Sequence, residues 1–582
     1  MTPFTFAVIA DSHFHPPGVP EQAAWDEDRL FNERNAQVVR LLQQANPAFV
    51  IHVGDVPHPV PGLAAHDEAL DVAQALYRQL SCPFYVVPGN HDVGDKPKPT
   101  TPVPADPSHR VAFRERWGPL WQRFDHEGCT MLLLDAPVMN TGSEEEQAQW
   151  AWLDHQVAAL RGRRWFAFVH YPPFLLSPDE PEHYDNLGEP ARSRLLGLLQ
   201  GAEATFCGHV HHFFWHVAQR HWLLPSTAFV RPGFSELSAI GPGRAFGRDD
   251  THKLGLAFVH VDEAGSQVEI VRSHGHATAE PLQPGRRAAP VHRLGVTLRH
   301  RWDRTFDIPA DGLDPFGRKQ ARDDLVLLSL LEAGVRRLRL PVADRRCTST
   351  RERLTALTTE GFTARFFGTE RPQDLPDAMF EHITPRAQPA ERGSWAPVGR
   401  GTLRDGERFS HFPTLGFLPE EERPPHGVVR VPADRSVWSS SVDGTCLVEL
   451  PRAAENRRFD DDVAVACRVA EALVTALAFP RRELYLDGWV DHDRGYYPRS
   501  LLLDRAGEPR LAHRVLVHLN RLLPREGDVR RHEEPDVAVF VTTGGAVWIP
   551  AREARMPAGI DLGLGVQRPA ETAALPRWVS AG

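Results

Sequence analysis

Phe4-Thr5-Phe6-Ala7-Val8-Ile9-Ala10 runs straight into Asp11-Ser12-His13. An apolar, partly β-branched run of this length predicts a buried strand. Its abrupt stop at a carboxylate and an imidazole predicts a strand end that faces something other than the core. The same arrangement recurs down the first 212 residues. Val50-Ile51-His52-Val53 stops at Gly54-Asp55. Phe84-Tyr85-Val86-Val87 stops at Pro88-Gly89-Asn90-His91-Asp92. Phe166-Ala167-Phe168-Val169 stops at His170-Tyr171-Pro172, and Thr205-Phe206-Cys207 at Gly208-His209-Val210-His211-His212. Strands are predicted at residues 4–10, 49–53, 84–87, 130–134, 165–169 and 204–207. Amphipathic helical stretches at 29–44, 68–79, 145–160 and 191–199 lie between them. This alternation predicts an α/β fold with a layered sheet. Further strands at 213–217, 222–224, 254–261 and 267–271 read as the second sheet of a sandwich. In such sheets the carboxyl ends of the strands share one crevice, so residues from five distant stretches can meet there.

The residue types at those ends suit a pair of hard-to-borderline cations. They offer carboxylate, imidazole and amide oxygen and no thiolate, since Cys207 is expected to face the core. That donor set selects Mn, Fe or Zn, with Co and Ni close behind, over a soft metal. Two cations need a bridging anion, and Asp55 is the expected bridge. Asp11 and Asp55 supply two negative charges against four positive ones, which leaves charge to neutralise a bound hydroxide and phosphate oxygens. Such a pair, about 3.5–4 Å apart, activates a bridging water and clamps an in-line displacement at phosphorus.

The five blocks resemble the pattern of the calcineurin-like metallophosphoesterase superfamily: D-x-H, G-D, G-N-H-[DE], a lone His and G-H-x-H. Here they read Asp11-Ser12-His13, Gly54-Asp55, Gly89-Asn90-His91-Asp92, His170 and Gly208-His209-Val210-His211. The resemblance implies a four-layer α/β sandwich. It implies that Asp11, His13, Asp55 and His211 hold one metal and Asp55, Asn90, His170 and His209 the other. His91 would sit over the substrate, stabilise the phosphoryl charge and assist the leaving oxygen, with Asp92 orienting it. The Asp that closes the third block resembles the bacterial class III cyclic-nucleotide-phosphodiesterase-like branch. The function so implied is hydrolysis of a phosphate ester; the resemblance does not carry over a substrate, and the expectation is a phosphodiester first and a phosphomonoester second.

Other polar residues near these blocks divide by position. His52 lies inside a strand and reads as a core histidine, while His15 and His58 are candidates to line the pocket. His209 and His211 alternate along the chain and share a face; His212 points the other way and reads as solvated or as a substrate contact. His183-Tyr184-Asp185-Asn186 reads either as a substrate-reading segment or as a surface turn. Glu144–Glu146 reads as the acidic first turn of a helix.

At 582 residues the chain is too long for one core. The expected division is a phosphoesterase domain at 1–276, a Pro-, Ala-, Gly- and Arg-rich linker at 277–290 and a second α/β domain at 291–582. In the last, predicted strands at 295–299, 337–340, 363–367, 428–431, 446–450, 483–489, 537–541 and 546–549 alternate with helices at 322–333, 348–358, 461–478 and 510–523. That suits a (β/α) barrel, although 393–438 shows no helix. Asp487, Trp489, Asp491, His492 and Asp493 follow a strand and read as a binding site or as a loop ion-paired with Arg494 and Arg499. A sugar or polyol phosphate bound there, and merely trimmed by the first domain, is the alternative function.

With 66 basic and 76 acidic residues the net charge is -10. No basic excess marks a nucleic-acid surface, so the expected partner is a small-molecule phosphate ester. No run approaches the ~20 apolar residues of a membrane span. Six scattered cysteines without a CxxC pair read as reduced thiols, which favours the cytoplasm. The sequence carries no signal for an oligomeric state.

Overall fold

The computed structural model describes residues 1–18, 29–97, 103–231, 251–273, 291–299, 302–308, 318–368, 370–376, 379–382, 429–433, 435–440, 443–451, 462–479, 481–491, 501–504, 506–524 and 528–581. The chain divides into two compact units, Met1–Arg287 with Asp303–Leu328, and Ala288–Trp302 with Ser329–Gly582. Residues 303–328, expected in the second domain, belong to the first unit. The expected linker at 277–290 lies outside the described residues.

In the first unit, β1 (Phe4–Ile9), β2 (Val50–His52), β3 (Phe84–Val86), β4 (Gln122–His126), β5 (Cys129–Leu134), β6 (Arg164–Val169), β7 (Ala204–Cys207), β8 (Phe214–His216), β9 (His221–Leu223), β10 (Gly255–Asp262) and β11 (Gly265–Arg272) form two sheets. One has the order β11-β10-β1-β2-β3, the other β4-β5-β6-β7-β9-β8. β1, β2 and β3 run parallel, and so do β5, β6 and β7.

Side-chain alternation explains the layering. Ala7 and Ile9 of β1 pack against Val38, Leu41 and Leu42 of the helix Phe31–Ala45 and against Ala69 and Ala73 of the helix Ala64–Tyr77. Phe6 faces the other way, with its ring 5.5 Å from Phe166 and 6.4 Å from Phe206 of the second sheet. In β6, Trp165, Ala167 and Val169 turn instead to Trp150 and Leu153 of the helix Glu144–Ala159 and to Leu195 of Ala191–Leu199. Helix, sheet, sheet and helix therefore stack as four layers. Strands buried on both faces need continuous apolar runs, which is why the runs read so clearly in the sequence.

The structure adds β4 and the helix Pro107–Trp117 to the expected elements. That helix buries only Arg110 and Phe113, so its periodicity is faint; it is defined by its start, where the Asp106 side chain accepts from the Ser108 amide at 2.8 Å. A hairpin of Thr305–Ile308 and Lys319–Arg322 is also added, and Phe306, Ile308 and Ala321 pack onto the core that carries β6.

The second unit is built on a seven-stranded, wholly parallel sheet with the order Phe380–His382, Thr363–Gly368, Val335–Pro341, Val291–Thr297, Arg482–Leu486, Gly444–Val448, Val429–Val431. Strands successive in the chain are neighbours except Phe380–His382 and Val429–Val431, which form the two edges, and the last lies beside the first, as in barrel order. The described residues make a curled half-barrel of it. The strands expected at 537–541 and 546–549 do not belong to the barrel. They are Val537–Thr542 and Gly545–Pro550, paired antiparallel in a separate six-stranded sheet. Two residues separate them, and a parallel pair needs a crossover of a dozen or more. Among the described residues no helix is long and apolar enough to cross a membrane.

Candidate metal centre

Every block singled out in the sequence sits just past the carboxyl end of a parallel strand: Asp11 and His13 after β1, Asp55 after β2, Asn90 and His91 after β3, His170 after β6, His209 and His211 after β7. The chain leaves these ends sharply. Asp11, His13, Asp55, His209 and His211 all adopt left-handed backbone, with φ of 53°, 47°, 60°, 72° and 56°. Asp and His tolerate that region better than bulky residues do, and it swings their side chains back over the sheet ends. Gly89 makes the convergence sterically feasible, because a Cβ there would collide with the Asp55 carboxylate and amide. A Cβ on Gly54 would stand 2.6 Å from His170 Nδ1.

The side chains meet in two groups that share Asp55. Asp11, His13, Asp55 and His211 form the first and Asp55, His170 and His209 the second, and within each the ligand atoms lie within 4.8 Å of one another. His13 Nε2 stands 3.0 Å from His211 Nε2 and 3.8 Å from Asp55 Oδ2, and His211 Nε2 stands 3.4 Å from Asp11 Oδ1. His170 Nε2 stands 3.3 Å from Asp55 Oδ1. Asn90 joins the second group, its Oδ1 being 3.0 Å from both His170 Nε2 and His209 Nδ1.

Hydrogen bonds set which nitrogens face inward. His170 Nδ1 donates to the Val53 carbonyl at 2.8 Å, which leaves Nε2 for the centre. His209 Nε2 donates to the Tyr184 carbonyl at 3.2 Å, which leaves Nδ1. Burial, together with neighbouring imidazoles, pushes His13 and His209 well below the usual histidine range, so both are neutral with lone pairs to give. His170 is also buried, but Asp55 overrides that and raises it to about 9.

These residues fit a cation pair on their own chemistry. Asp11 and Asp55 are buried, and among the described residues no Lys or Arg lies within ion-pair distance of either. His170, raised to about 9, offsets part of the charge on Asp55; the rest of the penalty of burying two carboxylates, several kcal/mol each, is one that divalent cations remove.

The expected role of Asp92 needs correction. Its carboxylate accepts from the backbone amides of Asp55 at 2.7 Å, Gly89 at 2.8 Å and Val56 at 3.2 Å, so it staples the ends of β2 and β3 together. The His91 ring is oriented instead by the His58 carbonyl, 2.5 Å from its Nδ1. His91 borders the centre, with its ring 4.7 Å from that of His13. His15, His58 and Phe229 continue that border: the His13 ring lies 5.3 Å from His58 and 5.1 Å from Phe229, and His15 lies 4.6 Å from His58. His52 is a core residue, bonded to Ser12 Oγ at 2.8 Å and accepting from the Gly54 amide. His212 is not solvated: it is buried beside Phe214, and burial pushes its pKa down to about 3. His183–Asn186 is not a surface turn either, since His183, Asp185 and Asn186 are buried.

Sequence reading missed Asn35 and Ser226, which hold the turn after β1. Asn35 Nδ2 donates to the Ser12 carbonyl at 2.7 Å and Ser226 Oγ to the Asp11 carbonyl at 2.6 Å. Single polar residues outside any motif leave no signal. In the second unit, Asp487 pairs with Arg299 and Asp491 with Arg510, while Trp489 Nε1 donates to Ser329 Oγ. His492, Asp493, Arg494 and Arg499 lie outside the described residues.

A four-layer sandwich whose parallel strands end in shared carboxylates, imidazoles and an amide is of the metallophosphoesterase class. Residues 4–213 match the family described as calcineurin-like phosphoesterase, and the N-terminal region of this chain is a domain of that family. Among relatives, the chain is 29% identical over 197 residues to the serine/threonine-protein phosphatase CPPED1 of Danio rerio, covering 32% of this chain and 61% of that protein. It is 24% identical over 179 residues to the probable glycerophosphodiester phosphodiesterase GpdQ of Arcobacter nitrofigilis, covering 28% and 57%. The chain thus spans about six tenths of the length of these relatives. Among solved structures, a dimetal phosphatase from Danio rerio aligns with a TM-score of 0.33 at 15% identity, over 47% of this chain and 97% of that one.

Proposed function

We propose that the first unit hydrolyses a phosphate ester with two divalent cations, of Mn, Fe or Zn, held by Asp11, His13, Asp55, Asn90, His170, His209 and His211. The observation that carries this reading is the pair of buried ligand groups that share Asp55. Asp55, with Oδ2 toward His13 and Oδ1 toward His170, would be the ligand common to both cations. When bound, such a pair supplies an activated water and neutralises phosphoryl oxygens. His91, whose Nδ1 donates to the His58 carbonyl, keeps Nε2 free, and as an imidazolium it could donate from that nitrogen to a phosphoryl oxygen or pass its proton to the leaving alkoxide. Asp92 keeps Asp55 and Asn90 in register through the backbone.

A small phosphodiester is the proposed substrate, supported by the diesterase name of the Arcobacter relative. The phosphatase name of the Danio rerio relative favours a phosphomonoester as the second reading. The proposed setting is the cytoplasm, supported by Cys82, Cys129 and Cys207, none of which is in a disulfide. Turnover of bis(p-nitrophenyl) phosphate and p-nitrophenyl phosphate with added Mn, beside an Asp55→Ala control, tests the proposal. We expect metal-dependent turnover, faster on the diester and lost in the control. Preference for the monoester selects the second reading, and a metal-loaded chain that turns over neither ends both.

A further inference from the structure

Tyr184 touches two residues of the second ligand group in complementary ways. Its carbonyl accepts from His209 Nε2 at 3.2 Å, and its hydroxyl accepts from Asn90 Nδ2 at 3.4 Å. The first contact fixes the His209 tautomer that leaves Nδ1 toward Asn90 and His170. The second fixes the Asn90 amide with Oδ1 inward and nitrogen outward. One residue thus decides which atoms two ligands present. Its ring also lies 4.9 Å from that of His209.

What holds Tyr184 in place is its neighbour. Asp185 is fully buried and takes Lys319 Nζ at 2.5 Å on Oδ2, while Arg231 takes Oδ1 and lies over the Tyr184 ring. From the other side, buried Lys96 donates to the carbonyls of His183, at 2.8 Å, and Asn186. Burial opposes the charge on Asp185, but Arg231 and Lys319 hold its pKa far below the usual carboxylate range, so the clamp is an ionic one. Lys319 comes from the hairpin Thr305–Arg322, more than a hundred residues past the end of the family match at residue 213. Its side chain is 2% exposed and the hairpin is anchored in the core by Phe306, Ile308 and Ala321.

We propose that Lys319 is a positioning residue for the second cation: by clamping Asp185 it holds Tyr184 against His209 and Asn90. This rests on the dinuclear reading above. The hairpin is then an added part of the metal centre, supplied from outside the family's shared stretch.

The test is Mn titration of the full-length chain, freed of metal with a chelator, followed by calorimetry and by electron paramagnetic resonance for the spin-coupled pair. Wild type is expected to take two ions and show the coupled signal. Lys319→Met should keep the first ion and bind the second about 10–100-fold more weakly, the usual effect of losing an outer-shell partner, with the coupled signal replaced by that of isolated Mn. Lys319→Arg should restore both. Tyr184→Phe, which removes a single hydroxyl, should weaken the second ion alone by about tenfold and covers the case in which Lys319→Met fails to fold. Wild-type affinity for both ions in Lys319→Met, or in Tyr184→Phe, overturns the inference. So does equal weakening of both ions, which marks a purely structural role. A wild-type chain that takes fewer than two ions overturns the dinuclear reading itself.

Discussion

Parallel strands end in charged residues in both units, yet the two sets of ends are chemically opposite. In the second unit the charges cancel in pairs: Arg339 makes a two-pronged contact with Glu381 at 2.6 and 2.7 Å, Asp487 takes Arg299 and Asp491 takes Arg510. In the first unit the carboxylates of Asp11 and Asp55 face imidazoles, two held neutral and one, His170, raised by Asp55, and among the described residues no guanidinium or ammonium pairs with them. A strand end with its own countercharge is closed to a cation, whereas one built from anions and neutral imidazoles is open to it. The position on the sheet is shared, and the charge sum decides the use.

The sharpest way to break this contrast is at Asp55. Asp55→Ala should lower phosphoester turnover by more than about 100-fold, the upper end for outer-shell losses, while steady-state assays of the Glu381→Ala variant should match wild type. Glu381→Ala should act on stability instead. It leaves Arg339, with 0% of its side chain exposed, without its partner, and should cost about 3–5 kcal/mol in chemical denaturation of the second unit. A smaller loss would mean that this pair is not the closed system described. Cations should divide the units as well. Restoring them at about 100 times Kd to a chelator-treated chain should stabilise the first unit by about 2.7 kcal/mol in calorimetry and leave the transition of the second unmoved. The smallest expected effect is acid sensitivity in the second unit. Burial lowers His518 to about 4, and its Nδ1 donates to the Leu562 carbonyl at 2.7 Å. The unfolded chain therefore binds the extra proton between the ordinary histidine pKa and about 4, so stability is full above that window and falls as pH drops through it. The loss is roughly 1 kcal/mol at pH 5.5, and His518→Gln, which keeps a donor, should flatten it.

The first unit was the more legible in sequence for a physical reason. Its strands are buried on both faces, so each reads as an unbroken apolar run, and each ligand follows within a few residues of the run's end. His13, Asp55 and His211 could be picked out one strand at a time. What sequence could not show is contact across distance. The resemblance gives Asp92 the task of orienting His91, but a carboxylate beside three strand-end amides binds those instead. Tyr184 lies in a polar and aromatic stretch that sequence could flag, but Lys319 carries no local pattern, and their relation exists only once the hairpin has folded onto the β6 core. In the barrel half, strands at 537–541 and 546–549 had the right composition, and only the short connection between them excluded them from a parallel sheet.

The return of residues 303–328 to the first unit interleaves the two units along the chain. A ribosome reading from the amino terminus releases Ala288–Trp302, which belongs to the later unit, before it releases the hairpin that finishes the earlier one. The core that carries β6 is complete only after Phe306, Ile308 and Ala321 have left the ribosome.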